Sequence, residues 1–156
     1  MDFEFSISIM RTPAEVFALL RDKDKYSQEE GSPVIILDKT TPGPVSEGTR
    51  YREVVQMLPF YQGEILSVIT RIEPPEFLEK DFWGAGMLGH LANQFISERE
   101  GTRLIQRETL DYQGRLRVFE PIIKGFLGRQ LKSRLEDIKT VLESGYPVNL
   151  EDRDLN

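Results

Sequence analysis

The glycine run over residues 84–89 reads Gly-Ala-Gly-Met-Leu-Gly and matches the G-x-G-x-x-G fingerprint of dinucleotide-binding proteins. A genuine fingerprint follows a buried parallel strand that is apolar on both faces. The segment before this run instead carries three consecutive charged residues, Glu79, Lys80 and Asp81. We therefore interpret the run as a flexible hairpin loop and keep nucleotide binding as the alternative.

Cysteine and histidine, which supply sulfur and imidazole metal ligands and many catalytic groups, are scarce in this chain. It has no cysteine, which excludes thiolate nucleophiles, disulfides, iron–sulfur clusters and sulfur-ligated zinc. Its one histidine, His90, cannot build a two-histidine metal site, and any serine-histidine-aspartate arrangement would depend on it alone. We expect no bound metal and no cofactor, and we expect His90 to be exposed and idle.

Composition narrows the class of protein further. With 156 residues, 39% of them hydrophobic and 29% charged, the chain is typical of one globular domain. Its net charge of −6 opposes attraction to nucleic acid or anionic lipid. The N-terminus lacks a basic leader, and the longest apolar run, Val16 to Leu20, is far too short to span a membrane. The sequence predicts a cytoplasmic protein with neither nucleic acid nor an integral membrane association.

The first elements that must position any site are a strand and a helix. Residues 3–9 alternate between apolar and polar side chains, as a strand with one buried face does. Thr12, Pro13 and Glu15 then form a capping signal for a helix. A second short helix or turn is predicted to follow, to about Glu30.

The rest of the chain predicts an antiparallel meander followed by a long helix. Glycine- and proline-containing turns separate short runs rich in β-forming residues. Apolar residues at helical spacing over 117–143 predict one long amphipathic helix, and the segment 146–156 reads as a polar tail. The predicted meander strands are 34–40, 49–57, 62–72, 77–83, 89–97 and 102–111.

This order of elements resembles the helix-grip fold of the START-like (SRPBCC) superfamily, most closely its polyketide cyclase/dehydrase branch. The likeness covers residues 3 to 143 and marks turns and packing positions rather than a catalytic set. The matching residues are Ile9, Thr12, Pro13, Val16 and Phe17; Pro42-Gly43-Pro44-Val45; Gly48-Thr49-Arg50-Tyr51; Ile72-Glu73-Pro74-Pro75; Gly101-Thr102-Arg103-Leu104; and Leu135, Ile138, Lys139, Leu142 and Glu143.

The resemblance implies an α+β fold in one domain over residues 1–145. About seven curved antiparallel strands would wrap around the C-terminal helix, with two short helices after the first strand. A cavity between sheet and helix would bind an apolar or amphipathic small molecule. Gly125 and Gly128 lie within the predicted long helix, where each costs about 1 kcal/mol relative to alanine. They either leave room for a ligand or let the helix pass close to the sheet.

Aligning the strand alternation on the family's pattern gives a candidate ligand-binding set. The predicted helix would turn Ile122, Gly125 and Phe126 toward the sheet, and Leu110 would share the concave face. The candidates are Tyr51, Glu53, Val55, Met57, Trp83, Leu91, Asn93, Phe95, Leu104, Gln106, Glu108, Ile122, Gly125 and Phe126.

Within this set, Glu53 and Glu108 are the candidate acid/base pair. A carboxyl group among apolar walls has a raised pKa and could move protons at neutral pH. Arginines alternate with both glutamates, so a register error of one residue would turn the carboxylates out to solvent.

Three functions follow as hypotheses. The first is binding of a lipid-like or polyketide-like small molecule in the cavity. The second is a cyclase or aromatase in which Glu53 or Glu108 exchanges protons with a polyketide-like substrate. The third is a protein-interaction module that uses apolar loops, the segments 57–61 and 83–88, at the cavity mouth. The oligomeric state is open.

Overall fold

The computed structural model describes residues 1–23, 34–58, 61–114, 117 and 120–145. The side chains of Met57, Leu58, Tyr61 and Ile123 lie outside this description. The strands within it are β1 (Asp2–Ile9), β2 (Val34–Lys39), β3 (Arg50–Leu58), β4 (Tyr61–Glu73), β5 (Phe77–Gly84), β6 (Met87–Glu98) and β7 (Gly101–Tyr112), and the helices are α1 (Pro13–Arg21) and α2 (Glu120–Glu143).

Helix α1 begins where the capping signal predicts. The Thr12 amide donates to Glu15 Oε2 at 2.9 Å, and the Glu15 amide donates to Thr12 Oγ1 at 3.4 Å, which completes a capping box ahead of Pro13. The helix buries Val16 and Phe17 against the sheet. The second short helix predicted to about Glu30 falls in residues 24–33, outside the described residues.

The seven strands form one antiparallel sheet in the order β1-β7-β6-β5-β4-β3-β2. The strands from β2 to β7 are a meander, as predicted, and β1 closes the far edge by pairing with β7 from Asp2↔Thr109 to Ile9↔Thr102. The N-terminal ammonium of Met1 extends this pairing by donating to the Leu110 carbonyl at 2.6 Å. The first and last of the described strands are therefore neighbours.

The glycine run forms the β5–β6 hairpin, as predicted, and no helix follows it. Ala85 and Gly86 make a two-residue turn in which both φ angles are positive, +49° and +79°. The predicted loop is thus tighter than expected, and Gly89 lies inside β6 rather than in the loop. A Cβ atom on Gly89 would lie 2.2 Å from Phe82 Cζ, so a side chain here would clash with that ring. Because β5 and β6 are antiparallel and no helix follows the run, the alternative of dinucleotide binding lacks the parallel strand and helix that the fingerprint requires.

Helix α2 approaches the sheet most closely along β1. Its sheet-facing side is Leu127, Leu131, Leu135, Ile138 and Leu142, with Leu135 and Leu142 fully buried. A Cβ atom on Gly128 would lie 3.5 Å from the Phe3 ring, an ordinary van der Waals contact, so Gly128 is on the side of the helix that faces β1.

The predicted orientation of the first turns of α2 is wrong. Ile122 is 75% exposed and Phe126 41%, and a Cβ atom on Gly125 would have no neighbour within 4 Å. These three residues point to solvent because they occupy a second apolar stripe, on the side of the helix opposite Leu127 and Leu131.

The core between sheet and helices consists of two apolar clusters. The first, near α1 and the end of α2, is built on Ile9, Val16, Phe17, Leu19, Tyr51, Ile69, Leu78, Phe95, Leu104, Leu135 and Leu142. The second, near the β5–β6 hairpin, is built on Phe3, Phe82, Met87, Leu91, Leu110 and Tyr112.

Candidate functional site

A row of polar side chains crosses the concave face of the sheet between the two apolar clusters. On β5, for example, Lys80 lies between Leu78 of the first cluster and Phe82 of the second. On β6 and β7 the polar residues likewise lie between members of the two clusters, and on β3 Glu53 lies two residues from Tyr51 of the first cluster, because side chains two apart along a strand share a face. We call this row the polar belt; its members are Glu53, Ser67, Lys80, Asn93, Gln106 and Glu108.

Glu53 is the most strongly paired member of the belt. Its Oε1 atom accepts a hydrogen bond from Lys23 Nζ, at the end of the α1 region, and another at 3.3 Å from Lys80 Nζ. Burial alone would raise the pKa of Glu53, but the attraction of Lys80 and Lys23 outweighs burial and holds that pKa far below its usual range. Glu53 is therefore a buried carboxylate. The expectation that it would have a raised pKa is wrong.

The pKa of Lys23 is also lowered, which for a lysine favours the neutral form. Burial, together with repulsion from Lys80, lowers the pKa of Lys23 to about 7, although Glu53 attracts its proton. Its Nζ atom also lies 4.8 Å from the centre of the Tyr51 ring. Near neutral pH this amine can therefore exist in either protonation state.

Glu108 differs from Glu53 in that no cationic side chain among the described residues forms an ion pair with it. Burial is the main cause that raises the pKa of its carboxyl group, while the more distant charges of Arg134 and Lys80 act in the other direction. The raised pKa of Glu108 agrees with the prediction. Its neighbour Tyr112 also has a raised pKa, first because of burial and then because of the Glu108 charge.

Three hydrogen-bond acceptors in the belt have no partner among the described residues: Ser67 Oγ, Asn93 Oδ1 and Gln106 Oε1. Asn93 is oriented by its own amide group, which donates to the Leu78 carbonyl at 3.3 Å. Asn93 and Gln106 face each other across β6 and β7, and both are only 4% exposed. A buried acceptor without a donor costs about 1–3 kcal/mol, so a hydroxyl or N–H group placed here would be stabilised.

Most of the predicted site residues lie where strand alternation puts them. Buried on the concave face are Tyr51, Glu53, Leu91, Asn93, Phe95, Leu104, Gln106 and Leu110, with Val55 and Glu108 half-buried on the same face. The side chain of Met57 lies outside the described residues. The role of these residues in ligand binding stays a prediction.

Other predicted site residues lie elsewhere. Trp83 is part of β5 rather than a loop, and it lies on the convex face between its cross-strand partners Leu66 and Leu88. Ile122, Gly125 and Phe126 are on the outer side of α2. His90 is on the convex face, as expected, but it is paired: its Nδ1 atom lies 2.7 Å from Asp81 Oδ1.

Sequence reasoning missed four polar groups near the belt: Lys23, Ser67, Lys80 and Arg134. Alternation could have found Lys80, because Leu78 and Phe82 on either side of it are typical inward positions. Lys23 and Arg134 come from other elements, and their proximity to Glu53 depends on tertiary structure.

Two surface depressions lie away from the belt. One, of about 460 Å³, is at the start of α1 and is bounded by Arg11 and Glu100, and the other, of about 240 Å³, is bounded by Phe77 and Ile96. Within the described ranges, no three acidic or histidine side chains converge as metal ligands, and no helix there is long and apolar enough to cross a membrane.

Solved structures show which fold this architecture belongs to. No protein-family model and no curated protein matches the sequence. The crystal structure of Ara h 8.0201 superposes with a TM-score of 0.73 at 13% identity, covering 93% of this chain and 99% of that one. TTHA0849 from Thermus thermophilus gives a TM-score of 0.72 at 18% identity, with coverages of 93% and 99%.

A third similar structure is the di-domain ARO/CYC StfQ from the steffimycin biosynthetic pathway. It superposes with a TM-score of 0.76 at 15% identity over 92% of this chain and 50% of StfQ. The α+β helix-grip fold expected from the sequence is thereby confirmed, with seven antiparallel strands among the described residues and a long C-terminal helix.

Proposed function

We propose that this protein binds a hydrophobic or amphipathic small molecule between the concave face of the sheet and α2. The observation that carries this proposal is the set of acceptors without partners, Ser67 Oγ, Asn93 Oδ1 and Gln106 Oε1, buried between two apolar clusters. Natural proteins pair nearly all such groups, and exceptions need an explanation. A bound molecule that donates hydrogen bonds supplies one.

The surroundings of the belt define the shape of the ligand. Leu78, Phe95 and Leu104 border it on one side, and Phe82, Leu91 and Leu110 on the other. Ligand sites are commonly apolar with a few well-placed polar groups that fix orientation. The ligand therefore has an apolar body with at least one polar group near its middle or end.

We expect the ligand to reach the site from the side of the polar belt that α2 covers least. The closest approach of α2 is to β1, at one edge of the sheet, whereas Glu53 lies on β3 near the other edge. Arg134 of α2 is exposed and yet close enough to influence Glu53 and Glu108 electrostatically. We expect a ligand to enter on this side, past Arg134.

A neutral fluorescent probe tests the proposal. N-phenyl-1-naphthylamine, an apolar dye with one N–H donor, should bind the folded chain saturably, because it gains about 25 cal/mol for each Å² of apolar surface removed from water. Gln106→Leu should weaken binding by removing an acceptor, whereas Gln94→Leu, on the convex face of β6, should not. Absence of saturable binding to the folded chain would overturn the proposal. Native mass spectrometry of the purified protein would show any copurified molecule.

Gly125→Leu serves as a second control for the location of the site. The sequence predicts that this change fills the cavity. In the structure Gly125 has no neighbour within 4 Å of its Cβ position, on the outer side of α2, so dye binding should be unchanged.

A second candidate function is proton transfer to a bound polyketide-like substrate by Glu108. The raised pKa of this half-buried carboxyl group favours it, and the similarity to an ARO/CYC protein supports it. Glu53 is a poor base because two lysines stabilise its ionised form. Carboxyl-carbon NMR should show Glu108 titrating above the ordinary midpoint of about 4.3. An ordinary midpoint would remove this candidate.

The third hypothesis, protein interaction through apolar mouth loops, gains no specific support. Trp83 is within β5, Met87 is buried, and the side chain of Met57 lies outside the described residues.

A further inference from the structure

The groups around the polar belt do not balance in charge. Among the described residues that influence Glu53, three are cationic, Lys23, Lys80 and Arg134, whereas Glu53 and Glu108 are the two carboxyl groups. Both ammonium groups contact the same oxygen, Oε1 of Glu53. One negative charge is therefore shared between two buried lysines.

This sharing leaves positive charge in a place that water reaches poorly. The side chains of Lys23 and Lys80 are only 18% and 13% exposed. A buried charge is costly unless a counter-charge and hydrogen bonds compensate it. The lowered pKa of Lys23, about 7, reflects that cost, because the amine gives up its proton more readily there.

Glu108 does not correct the imbalance. It is on β7, makes no ion pair with Lys80 in the structure, and burial favours its neutral form. Among the described residues, Glu53 is the one carboxylate that contacts either lysine. An anionic group on a bound molecule would supply the missing negative charge if it were small enough to reach the concave face between α2 and the β3 side of the sheet.

We propose that the site prefers amphipathic acids, in which an apolar body lies along the belt and a single anionic group such as a carboxylate or sulfonate binds between Lys23 and Lys80. This inference rests on the proposed binding function and adds to it the charge of the ligand. The neutral acceptors Asn93 Oδ1 and Gln106 Oε1 remain available for donors on the body of the same molecule.

Two dyes with the same aromatic skeleton distinguish the proposed preference for anions from the proposed binding function itself. 1-Anilinonaphthalene-8-sulfonate carries an anionic group, and N-phenyl-1-naphthylamine does not. We expect the full-length chain to bind the sulfonate about tenfold more tightly, the contribution of one charge-assisted hydrogen bond. Equal affinities would overturn the anion preference and leave the binding function intact, whereas failure of both dyes to bind would overturn the binding function itself.

Lysine variants locate the preference. Lys80→Met and Lys23→Met should each reduce the affinity for the sulfonate by about tenfold and leave the neutral dye within about twofold. Lys132→Met, an exposed position on α2, is the matched control and should change neither affinity. A preference that survives both belt variants would overturn the assignment to these lysines.

The pH dependence of the unmodified chain gives a test that does not depend on any variant folding. The ionisable groups that act on Lys23 are Glu53 of β3, Lys80 of β5 and Arg134 of α2. Because an anion binds the protonated amine, its advantage over the neutral dye should fall as the pH rises from about 6 to about 9, and Lys23→Met should abolish this fall. A ratio of affinities that stays constant with pH in the unmodified chain would contradict the role of Lys23.

Discussion

Arg52 and Glu53 are adjacent on β3, and they show what the two faces of the sheet do to the same kind of interaction. On the convex face, Arg52 Nε lies 2.7 Å from Glu64 Oε2, and the two side chains are 40% and 51% exposed. On the concave face, Glu53 is 10% exposed and shares one oxygen between Lys23 and Lys80. Water screens the first pair and barely reaches the second, so one residue step along a strand separates an ion pair that costs little to break from one that is costly to break.

The convex face carries further exposed ion pairs like that of Arg52 with Glu64, and each contributes little to stability. Arg107 pairs with Glu4 at 2.7 Å, Arg71 with Glu73 at 2.7 Å, and all four side chains are more than a third exposed. Exposed pairs typically contribute between zero and about 1 kcal/mol. Each ion pair of the convex face therefore adds little stability, whereas the buried pairing of Glu53 on the concave face is costly to break.

The largest expected effect is that of Glu53→Gln, which breaks the concave cluster. It should lower the free energy of unfolding by about 3–5 kcal/mol at pH 7, because two buried ammonium groups lose their counter-charge. The folded-state pKa of Glu53 is lowered, so its stabilisation is present above the unfolded value of about 4.3 and is lost as the pH falls toward the folded value.

Urea denaturation across that pH range measures the difference. Glu64→Gln, on the convex face of β4, is the matched control and should cost less than about 1 kcal/mol. Equal losses for the two variants would show that the two faces do not differ.

Glu108→Gln should have the opposite sign. The folded-state pKa of Glu108 is raised, so the wild type loses stability as the pH rises from the unfolded value of about 4.3 through the higher folded value. The amide cannot ionise, and the variant should be as stable as the wild type near pH 3 and more stable at pH 7. Thermal melts at both pH values check this, and a variant less stable at pH 7 would mean that Glu108 has an ion pair after all.

The two glycines of α2 sharpen the contrast between outer and inner surfaces. Gly125→Ala should raise the free energy of unfolding by about 1 kcal/mol through helix propensity, since its Cβ would be in open space. A leucine should be tolerated at Gly125 but not at Gly128, where the added side chain would have to displace the Phe3 ring 3.5 Å away. Comparable melting temperatures for the two leucine variants would place Gly128 on the outer surface too.

The smallest effect is expected for Arg107→Ala on the convex face. Arg107 and Glu4 are 53% and 63% exposed, so the change should cost about 0.2–1 kcal/mol at low salt. That cost should disappear in about 1 M salt, where charges are screened within about 3 Å. A larger or salt-independent loss would indicate packing by the arginine stem rather than an ion pair.

Local sequence signals were enough for most of the fold. Alternation, aligned on the pattern of the family that the sequence resembles, placed Glu53 and Glu108 on the concave face. The cap at Thr12 located the start of α1 from its immediate neighbours alone. The partners of Glu53 could not be predicted from local sequence signals, since Lys23 and Lys80 are 30 and 27 residues away along the chain.

Helix α2 shows a different reason for a wrong prediction. Its first half carries two apolar stripes, Ile122 with Phe126 and Leu127 with Leu131, and a 3.6-residue period fits either of them. Only the sheet decides which stripe is covered. Here β1 contacts the second, and the first is left in solvent.

The pairing of β1 with β7 determines when the sheet can be completed. Their contacts join residues about a hundred positions apart, up to the 109 that separate Met1 from Leu110. Chains dominated by such distant contacts fold slowly, because a long loop must close before the contact forms. During synthesis, β1 leaves the ribosome with Phe3 and Ile9 uncovered and waits until β7 has followed. We expect this strand to be the segment of the nascent chain most in need of a chaperone.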